Sequence, residues 1–283
     1  MIRRSFDGDK PTLYLISTPI GNLKDITLRA LETLNAVQVI FAEDTRNTLK
    51  LLSHYEIKKP IKSYHEHNKK EATEQVLYHL GLGESVGLVT DAGTPAISDP
   101  GFDLVLAVKD TYPVVSIPGA SAVLAALVSS GLVPQPFTFF GFLDRNESKK
   151  KDALNKLSGL SHTMIFYERG DRIKDTLTTI NAVLGNRKVV LAKELTKQFE
   201  TFFEGTVEDI INLDFNEKGE FVLMVEGRIE TLKQNGNMYE DVLEYIMLGY
   251  NEKDAIKKVA KDYKVHKNDV YQAVVNKGGI KHD

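Results

Sequence analysis

Short apolar runs alternate with amphipathic stretches through residues 1–120 of the chain. Compact apolar runs predict buried strands, and apolar positions at helical spacing between them predict helices that cover a sheet. The strands predicted in this way are Leu13–Ser17, Val37–Ala42, Ile61–Tyr64, Ser85–Thr90 and Val114–Ile117. Strands separated by helices favour an α/β domain with a mostly parallel sheet, which we expect to occupy residues 1–120.

Helices are predicted in the intervals between these strands. Thr27 is a suitable N-cap for a helix that buries Leu28, Leu31 and Leu34. Further helices are predicted over Thr45–His54, Lys70–Leu80, Asp99–Lys109 and, in a stretch of small residues, Ser121–Ser130. A helix after each strand is the connection that a parallel sheet requires.

A second α/β domain, residues 121–234, is predicted to continue beyond a linker that contains Pro134 and Pro136. Its predicted strands are Phe137–Gly141, Thr163–Tyr167, Lys188–Ala192, Thr201–Gly205 and Glu220–Val225. The last three strands follow one another closely, so we expect partly antiparallel pairing and a mixed sheet. From Asn235 the pattern is purely helical and predicts a small domain of three short helices over residues 235–283, of helix-turn-helix size.

The composition excludes several classes of protein. The chain has no cysteine, which excludes disulfide scaffolds, iron–sulfur clusters and thiolate chemistry. The uncharged run from Thr111 to Leu143 is interrupted by proline and glycine, so it does not predict a membrane span. No apolar signal segment precedes Pro11, and we expect a cytoplasmic protein without a membrane partner.

Three loops that follow predicted strands carry candidate chemistry: Ser17–Leu23, Val89–Gly101 and Ile117–Ala122. Ligands of open α/β sheets bind beyond the carboxyl ends of the strands, where these loops are expected to meet. Asp91 is suited to bind a cationic amine or ribose hydroxyls, and Ser121 to cap a helix, bind a ligand, or both. Each loop taken singly is also explained as an ordinary turn, and their combination favours a binding site.

Polar clusters also follow two other strands. Glu43, Asp44 and Arg46 follow the second strand, and His65-Glu66-His67 follows the third. The His-Glu-His stretch alternates side chains that can bind metals, but a polar loop is the more frequent origin of such a stretch. No metal site is predicted.

Nine short segments, taken in order, resemble the tetrapyrrole-methylase superfamily of S-adenosylmethionine-dependent methyltransferases, and more closely its ribosomal RNA branch. They are Thr18–Leu23, Ala42–Arg46, His65–Asn68, Asp91–Pro95, Asp99–Gly101, Pro118–Ala122, Phe166–Glu168, Glu194–Lys197 and Lys218–Glu220. The resemblance spans about residues 11–228, and the helical tail is similar to the C-terminal addition of that branch. A single motif is weak, whereas nine in register are specific.

The resemblance implies a homodimer of subunits with two α/β domains and the C-terminal helices. S-Adenosylmethionine is implied to lie in the cleft between the two α/β domains. The residues implied to hold it are Pro19, Gly21, Thr90, Asp91, Ala92, Gly93, Thr94, Ile97, Ser121, Ala122 and Leu195.

The implied reaction is methylation of the ribose 2′-hydroxyl of a cytidine in the decoding region of 16S rRNA, the RNA of the small ribosomal subunit. An activated methyl group requires alignment of the acceptor and a base that removes its proton. The candidate bases are Glu43, Asp44, His65 and Glu168, among which the sequence does not choose. Asp44 and Arg46 are predicted to be essential for methylation.

Basic residues are the candidates for contacts with RNA phosphates. Residues 144–188 hold 10 Lys and Arg against 6 Asp and Glu, although the whole chain has a net charge of −3. The predicted RNA contacts are Lys149, Lys150, Lys151, Arg169, Arg172, Lys193 and Lys197, with Arg46 as a further phosphate contact. The helical tail has 8 charges of each sign over residues 240–283, and its helices either bind RNA or pack.

One segment departs from the family pattern. Arg169-Gly170-Asp171 stands where the family usually has Ser-Pro-His, and Lys193 stands where arginine is common. Two other functions stay open on the sequence alone: a tetrapyrrole C-methyltransferase, which the shared fold permits, and a non-catalytic RNA-binding protein.

Overall fold

The computed structural model describes residues 10–228 and 237–277, together with Ser5 and Gly8. The chain divides into one unit over Met1–Arg228 and a second over Ile229–Asp283. The domain boundary predicted at residues 234 and 235 lies outside the described residues.

The first sheet of the larger unit is entirely parallel. Its strands are β1 (Leu13–Ile16), β2 (Val39–Ala42), β3 (Ile61–Ser63), β4 (Val86–Val89) and β5 (Val114–Ile117). They are arranged in the order β3-β2-β4-β1-β5, and all five predicted strands are confirmed. Every residue of β2 and β4 is buried, as expected for central strands covered on both faces.

Five helices connect or follow these strands: α1 (Leu28–Ala36), α2 (Thr45–His54), α3 (Lys69–Gly81), α4 (Phe102–Val108) and α5 (Ala122–Ser129). The Thr27 side chain caps α1 by accepting from the Ala30 backbone N–H, as predicted, and Ser121 caps α5. The α4 helix begins at Phe102, three residues later than predicted. Asp99 precedes a proline, which disfavours helical backbone, and Gly101 has a φ of +144°.

The second sheet is mixed, as predicted. Its strands are β6 (Phe137–Phe142), β7 (Thr163–Arg169), β8 (Lys188–Lys193), β9 (Thr201–Thr206) and β10 (Glu220–Val225), in the order β6-β7-β10-β8-β9. Strands β6 and β7 pair in parallel, and the other neighbours pair antiparallel.

Both faces of the second sheet are covered. Helices α6 (Glu147–Leu157), α7 (Ile173–Leu184) and α8 (Val207–Asn212) pack on one face, in a core with Met164, Phe166 and Leu223. On the other face, Val123, Ala126 and Leu127 of α5 pack against strand residues of this sheet. Helix α5 therefore joins the two sheets into one unit.

The second unit contains the three predicted helices: α9 (Met238–Met247), α10 (Glu252–Asp262) and α11 (Lys267–Asn276). Its core is formed by apolar residues from all three, among them Val242, Tyr245, Val259, Val270 and Val274. Within residues 10–228 and 237–277, no helix is both long and apolar enough to cross a membrane.

Candidate active site

The loops that follow β1 and β4 are joined by backbone hydrogen bonds. The Thr18 N–H donates to the Gly93 carbonyl at 2.8 Å, and the Gly93 N–H donates to the Thr18 carbonyl at 3.1 Å. The Thr18 hydroxyl donates to the Thr90 carbonyl at 3.0 Å, and the hydroxyls of Ser17 and Thr94 lie 2.9 Å apart. These bonds hold two of the three predicted loops in one fixed arrangement at the carboxyl edge of the first sheet.

Two glycines allow the β1 loop to contact its other neighbours closely. A Cβ on Gly119 would lie 2.8 Å from the Ser17 Cβ, so glycine lets the loop after β5 pack against the end of β1. A Cβ on Gly21 would lie 2.7 Å from the carbonyl oxygen of Leu195, which follows β8 of the second sheet. The β1 loop therefore touches the loops of both sheets, which places their loop ends around a common space.

That space is a cleft of about 640 Å³. Eight of the eleven predicted cofactor residues line it: Asp91, Ala92, Gly93, Thr94, Ile97, Ser121, Ala122 and Leu195. The other three are not in its lining. Thr90 is buried beneath the β4 loop, Gly21 holds the β1 loop against Leu195, and Pro19 is half-buried in that loop.

Several residues that line the cleft are not among the site residues predicted from the sequence. They are Ile20, Ser98, Asp99, Phe142, Tyr167, Ala192, Glu194, Gly219, Glu220, Phe221 and Val222. Strand alternation indicates that Tyr167 and its neighbours on β7 point to opposite faces of the sheet, but not which of these faces borders the cleft. The long-range strand order that brings β8 and β10 to the cleft has no local signal in the sequence.

The cleft is strongly acidic. Its lining contains Glu43, Asp91, Asp99, Glu194 and Glu220. Burial, together with the nearby charges of Glu43, Asp91 and Glu220, raises the pKa of Asp99 to about 6. A cleft with this excess of carboxylates suits a ligand that carries positive charge.

Thr90 connects two of these carboxylates. Its hydroxyl donates to the Glu43 carboxylate at 2.8 Å, and its proximity to the Asp99 carboxylate partly opposes the rise in the pKa of Asp99. Thr90 is therefore a positioning residue beneath the cleft rather than part of its wall.

Asp44 and Arg46 lie at the end of β2 and form a network of their own. The Asp44 carboxylate caps α2 by accepting from the Arg46 backbone N–H at 2.8 Å, and it forms an ion pair with the Arg46 guanidinium at 2.6 Å. Hydrogen bonds from Arg46 lower the pKa of Asp44 to about 2. Asp91 accepts from the Asp44 backbone N–H at 3.1 Å and from the Asn47 side chain at 2.9 Å, which links this network to the cleft wall.

His65 follows β3 and lies beside the Asp44–Arg46 network, but it does not line the cleft. The Tyr64 N–H donates to the Ala42 carbonyl at 2.7 Å, so the segments after β2 and β3 run side by side. The His65 backbone N–H donates to the Asn68 side chain at 2.8 Å. Its ring Nδ1 is buried and has no hydrogen-bond partner in the described part of the chain.

The structure places Glu168 outside the cleft. Its side chain is almost fully buried and accepts hydrogen bonds from the Thr176 hydroxyl at 2.7 Å and from the Arg172 guanidinium at 3.3 Å. Glu168 follows Tyr167 on β7, and successive strand residues point to opposite faces. The geometry therefore does not support the catalytic role predicted for Glu168 and gives it the structural role of anchoring α7.

The predicted RNA contacts differ in how accessible they are. Lys150 is buried and pairs with Glu147 at 3.5 Å, so it does not face solvent as the sequence predicted, because α6 turns it toward the core. Lys149 and Lys151, on the same helix, remain exposed. Arg172 is also unavailable to RNA, since its guanidinium donates to the Leu143 carbonyl at 2.8 Å as well as to Glu168.

The remaining predicted RNA contacts lie at or near the cleft. Lys197 lines it and pairs with Glu194 at 3.2 Å. Arg169 lines an adjacent groove, which shares Gly219 and Glu220 with the cleft. Lys193 donates to the Asn216 carbonyl at 2.6 Å and lies over the ring of Phe221, so its ammonium is partly engaged.

The family model and the relatives with similar sequences assign this chain to the same family. The family model of tetrapyrrole (corrin/porphyrin) methylases matches residues 12–211. The chain is 46% identical to ribosomal RNA small subunit methyltransferase I of Halalkalibacterium halodurans, covering 93% of this chain and 94% of that protein. It is 45% identical to the Bacillus subtilis protein of the same name, covering 96% of this chain and 98% of that protein.

Solved structures confirm the fold. A cobalt precorrin-4 methyltransferase is similar with a TM-score of 0.58 and 20% identity, over 80% of this chain and 98% of that one. Diphthine synthase is similar with a TM-score of 0.61 and 15% identity, over 76% of this chain and 90% of that one. The chain therefore belongs to the tetrapyrrole methylase family, among its ribosomal RNA small subunit methyltransferase I members, with S-adenosylmethionine as its methyl donor.

Proposed function

We propose that this protein methylates the ribose 2′-hydroxyl of a cytidine in the decoding region of 16S rRNA. The observation that carries this proposal is the similarity, over nearly the whole chain, to curated relatives named as methyltransferases of small-subunit ribosomal RNA. The acidic cleft at the carboxyl edge of the first sheet supplies a site for the chemistry.

The residues of the cleft fit S-adenosylmethionine. This cofactor supplies a methyl group on a positively charged sulfur and carries an ammonium group, and the acidic lining complements both charges. Gly93 has a φ of +83° and leaves its backbone open to a ligand. The apolar side chains of Ile97, Ala122 and Leu195 are suited to contact the adenine, and Asp91 is suited to bind ribose hydroxyls.

The protein's own contribution is to align the acceptor hydroxyl and to take its proton. Of the bases considered from the sequence, Glu43 lines the cleft, whereas His65 and Asp44 lie beside it. A carboxylate with a pKa of about 2 is a weak base, so Asp44 is better suited to hold Arg46 than to accept a proton. Asp99 joins Glu43 as a candidate, because its pKa of about 6 leaves it ionised and more basic at neutral pH.

The exposed guanidinium of Arg46 is suited to bind a phosphate of the substrate. The Arg46 side chain is 85% exposed although Asp44 holds it on one side. With Lys149, Lys151, Arg169 and the partly engaged Lys193 and Lys197, it provides cations for a backbone that carries one charge per nucleotide.

We further propose that the protein is a cytoplasmic homodimer. Helix α5 is apolar on all sides, and it exposes Leu124 and Val128 although its opposite face packs against the second sheet. Helix α4 exposes Phe102 and Leu106 at the same i, i+4 spacing. Apolar pairs of this kind on two helices are typical of a surface that a second subunit covers.

Two measurements test the reaction. Ribose methylation is mapped in 16S rRNA from cells with and without the protein, and we expect one cytidine in the decoding region to lose its 2′-O-methyl group. Transfer of labelled methyl groups to small-subunit particles and to a porphyrinogen is then compared with the purified protein. Methylation of the porphyrinogen alone would instead indicate a tetrapyrrole methyltransferase, and absence of cofactor binding would indicate a non-catalytic RNA-binding protein.

A further inference from the structure

Charge is segregated on the surface of the C-terminal helices, although the residues that form them are nearly balanced in charge. Between residues 251 and 277, six lysines are exposed, against one exposed acid, Asp269. The exposed lysines are Lys253, Lys257, Lys261, Lys264, Lys267 and Lys277. The near balance of the C-terminal helices as a whole therefore hides an excess of lysines at the exposed positions of residues 251–277.

The acids of this region are used within the unit. The Asp262 carboxylate accepts from the Tyr245 hydroxyl at 2.7 Å, and Asp254 pairs with Lys257 at 2.9 Å. The Asp269 carboxylate caps α11 by accepting from the His266 backbone N–H at 3.1 Å. Among the described residues, Lys261 and Lys267 form no ion pair, so their charges are directed to solvent.

The lysines follow the helical period. Lys253, Lys257 and Lys261 are four residues apart and form one exposed row along α10, whose other face packs in the core through Ala255, Ile256, Val259 and Ala260. Lys264 continues the row in the turn after α10, where it has a φ of +55°, and Lys267 begins α11.

The exposed face of α11 adds side chains that can recognise bases. Asn268, Tyr271, Gln272 and Asn276 are exposed at spacings of three and four, whereas Val270 and Val274 are buried on the opposite face. Amide side chains hydrogen-bond base edges, and an exposed tyrosine ring provides a stacking surface for an unpaired base. Tyr271 is 52% exposed, more than an aromatic residue of the core would be.

We propose that the exposed faces of α10 and α11 form an RNA-binding surface, with the lysine row on phosphates and the α11 row on bases. A polyanion fits six exposed lysines of which, among the described residues, Lys257 alone forms an ion pair. An acidic protein would also satisfy the lysines but would not use the row of amides beside Tyr271. This surface deepens the proposed function, and it rests on that function only for the identity of the RNA as small-subunit ribosomal RNA.

The test compares two full-length triple variants with the unmodified protein. One is Lys261→Gln, Lys264→Gln and Lys267→Gln. The control removes the same number of charges by Lys58→Gln, Lys59→Gln and Lys109→Gln, three lysines that precede β3 or β5 and so lie at the edge of the first sheet opposite the cleft. Affinity for a 16S rRNA fragment is measured at several salt concentrations, and affinity for S-adenosylmethionine is measured by calorimetry. Circular dichroism is used to check that each variant is folded.

We expect the first variant to bind the RNA at least tenfold more weakly, with unchanged affinity for S-adenosylmethionine. The slope of log affinity against log salt should fall in magnitude by about 2, because each lost phosphate contact removes about 0.7–0.9. Tyr271→Ala with Gln272→Ala should weaken binding and leave the slope unchanged.

Equal RNA affinity in the lysine variant and its control would overturn the proposal. Binding to assembled small-subunit particles is measured in the same way, and a loss of affinity for the particles without a loss for the RNA fragment would overturn the proposal in favour of a protein partner. Neither affinity depends on methyl transfer, so a failure of this RNA-binding proposal can be distinguished from a failure of the proposed methylation reaction.

Discussion

The position of Asp99 in the acidic cleft lowers the stability of the folded protein. Its carboxylate lies in the cleft among Glu43, Asp91 and Glu220, and the loop that carries it includes Ala96 and Ser98 at φ values of +69° and +63°. Residues in this left-handed region are strained unless they are glycine. Acidic crowding and backbone strain at the same loop are typical of a functional site, because neither stabilises the fold.

Substitution of Asp99 by Asn should lower the methylation rate and raise the free energy of unfolding at pH 7.5. The folded-state pKa of Asp99, about 6, lies above its ordinary value of 3.8, so ionisation of Asp99 destabilises the folded protein. Its contribution to stability is fully present below pH 4 and is lost as the pH rises through about 6. The gain from Asp99→Asn should therefore vanish below pH 4, as measured by denaturant unfolding at both pH values.

The activity of the same variant should fall by about 10²–10⁴-fold if Asp99 accepts the proton, and the rate of the unmodified enzyme should fall below about pH 6. Titration of Asp99 is influenced by Thr90, Glu43, Asp91 and Glu220, which face it from the first and second sheets. Asp110→Asn, at an exposed carboxylate outside the cleft, is the control. A variant that keeps full activity and the same pH profile would remove Asp99 from the reaction and leave Glu43 as the base in the cleft.

Gly21 contributes to the cleft through its lack of a side chain. The Cβ of Gly21→Ala would meet the Leu195 carbonyl oxygen at 2.7 Å, and this backbone atom cannot move without moving the whole β8–β9 loop. We expect at least a tenfold weaker affinity for S-adenosylmethionine, measured by calorimetry, with a smaller effect on thermal stability. Gly159→Ala is the matched control, because no atom lies within 4 Å of its added Cβ and its φ is not positive. Equal cofactor affinity in both variants would show that the contact at Gly21 does not shape the cleft.

At the level of elements, local sequence signals predicted all the strands and the helices α1 to α5, whereas α6, α7 and α8 were not predicted. Apolar runs identified all ten strands, and the side chains of Thr27, Asp44 and Ser121 cap the helices that follow them. Apolar runs and N-cap residues depend only on residues that are close together in the chain, so they can be recognised from the sequence alone. Eight of the cofactor residues that the family resemblance implied line the cleft. Seven of them lie in the loops after β4 and β5, and Leu195 follows β8 of the second sheet.

The features that the sequence could not predict depend on contacts between distant segments. Glu168 and Tyr167 are adjacent, and only the packing of α7 against one face of the second sheet determines that Tyr167 faces the cleft. Charge groups Lys150 with Lys149 and Lys151, but consecutive residues of a helix point in different directions around its axis, so Lys150 is buried whereas its two neighbours are exposed. Charge and residue type are local properties, whereas the face that a residue occupies is set by tertiary packing.

Asp44 has two roles at the start of α2, because it caps the helix and pairs with Arg46, and substitutions can separate these roles. Asp44→Asn keeps a good N-cap but removes the charge that holds Arg46, whereas Asp44→Ala removes both. At neutral pH we expect Asp44→Asn to lower the melting temperature slightly and to lose most methylation activity. Asp44→Ala should lose the activity and lower the melting temperature further, because it also removes the N-cap. The Asp44 carboxylate, with its pKa of about 2, stabilises the fold above pH 3.8, and this contribution is lost as the pH falls toward 2.

Arg46→Ala separates the two roles of this network. The Arg46 side chain is mostly exposed, so we expect this variant to keep its thermal stability and to lose methylation through weaker RNA positioning. Arg29→Ala, which changes a guanidinium whose hydrogen bond is made to the Ser116 carbonyl away from the cleft, is a matched control. Full activity of Arg46→Ala would restrict the role of Asp44 to capping α2.

Across the whole molecule, net charge says little about function. The chain carries −3, yet its cleft is acidic and the exposed faces of α10 and α11 are basic. Opposite local charges have separate purposes here: carboxylates complement a cationic cofactor, and lysines complement a polyanionic substrate. Attraction of the RNA is therefore expected to weaken steeply with salt, whereas cofactor affinity in the partly enclosed cleft should change little.

The exposed face of α5 bears on the number of subunits. This helix joins the two sheets of one unit through Val123, Ala126 and Leu127, so the opposite face, with Leu124 and Val128, is apolar without a structural need inside the subunit. A helix that is apolar on all sides is normally buried. We therefore expect Leu124→Asp with Val128→Asp to convert a dimer into a monomer, measured by sedimentation equilibrium. The control is Leu28→Asp, at a single exposed leucine of α1. An unchanged mass of the double variant would locate subunit contacts elsewhere, and a monomeric unmodified protein would contradict dimerisation altogether.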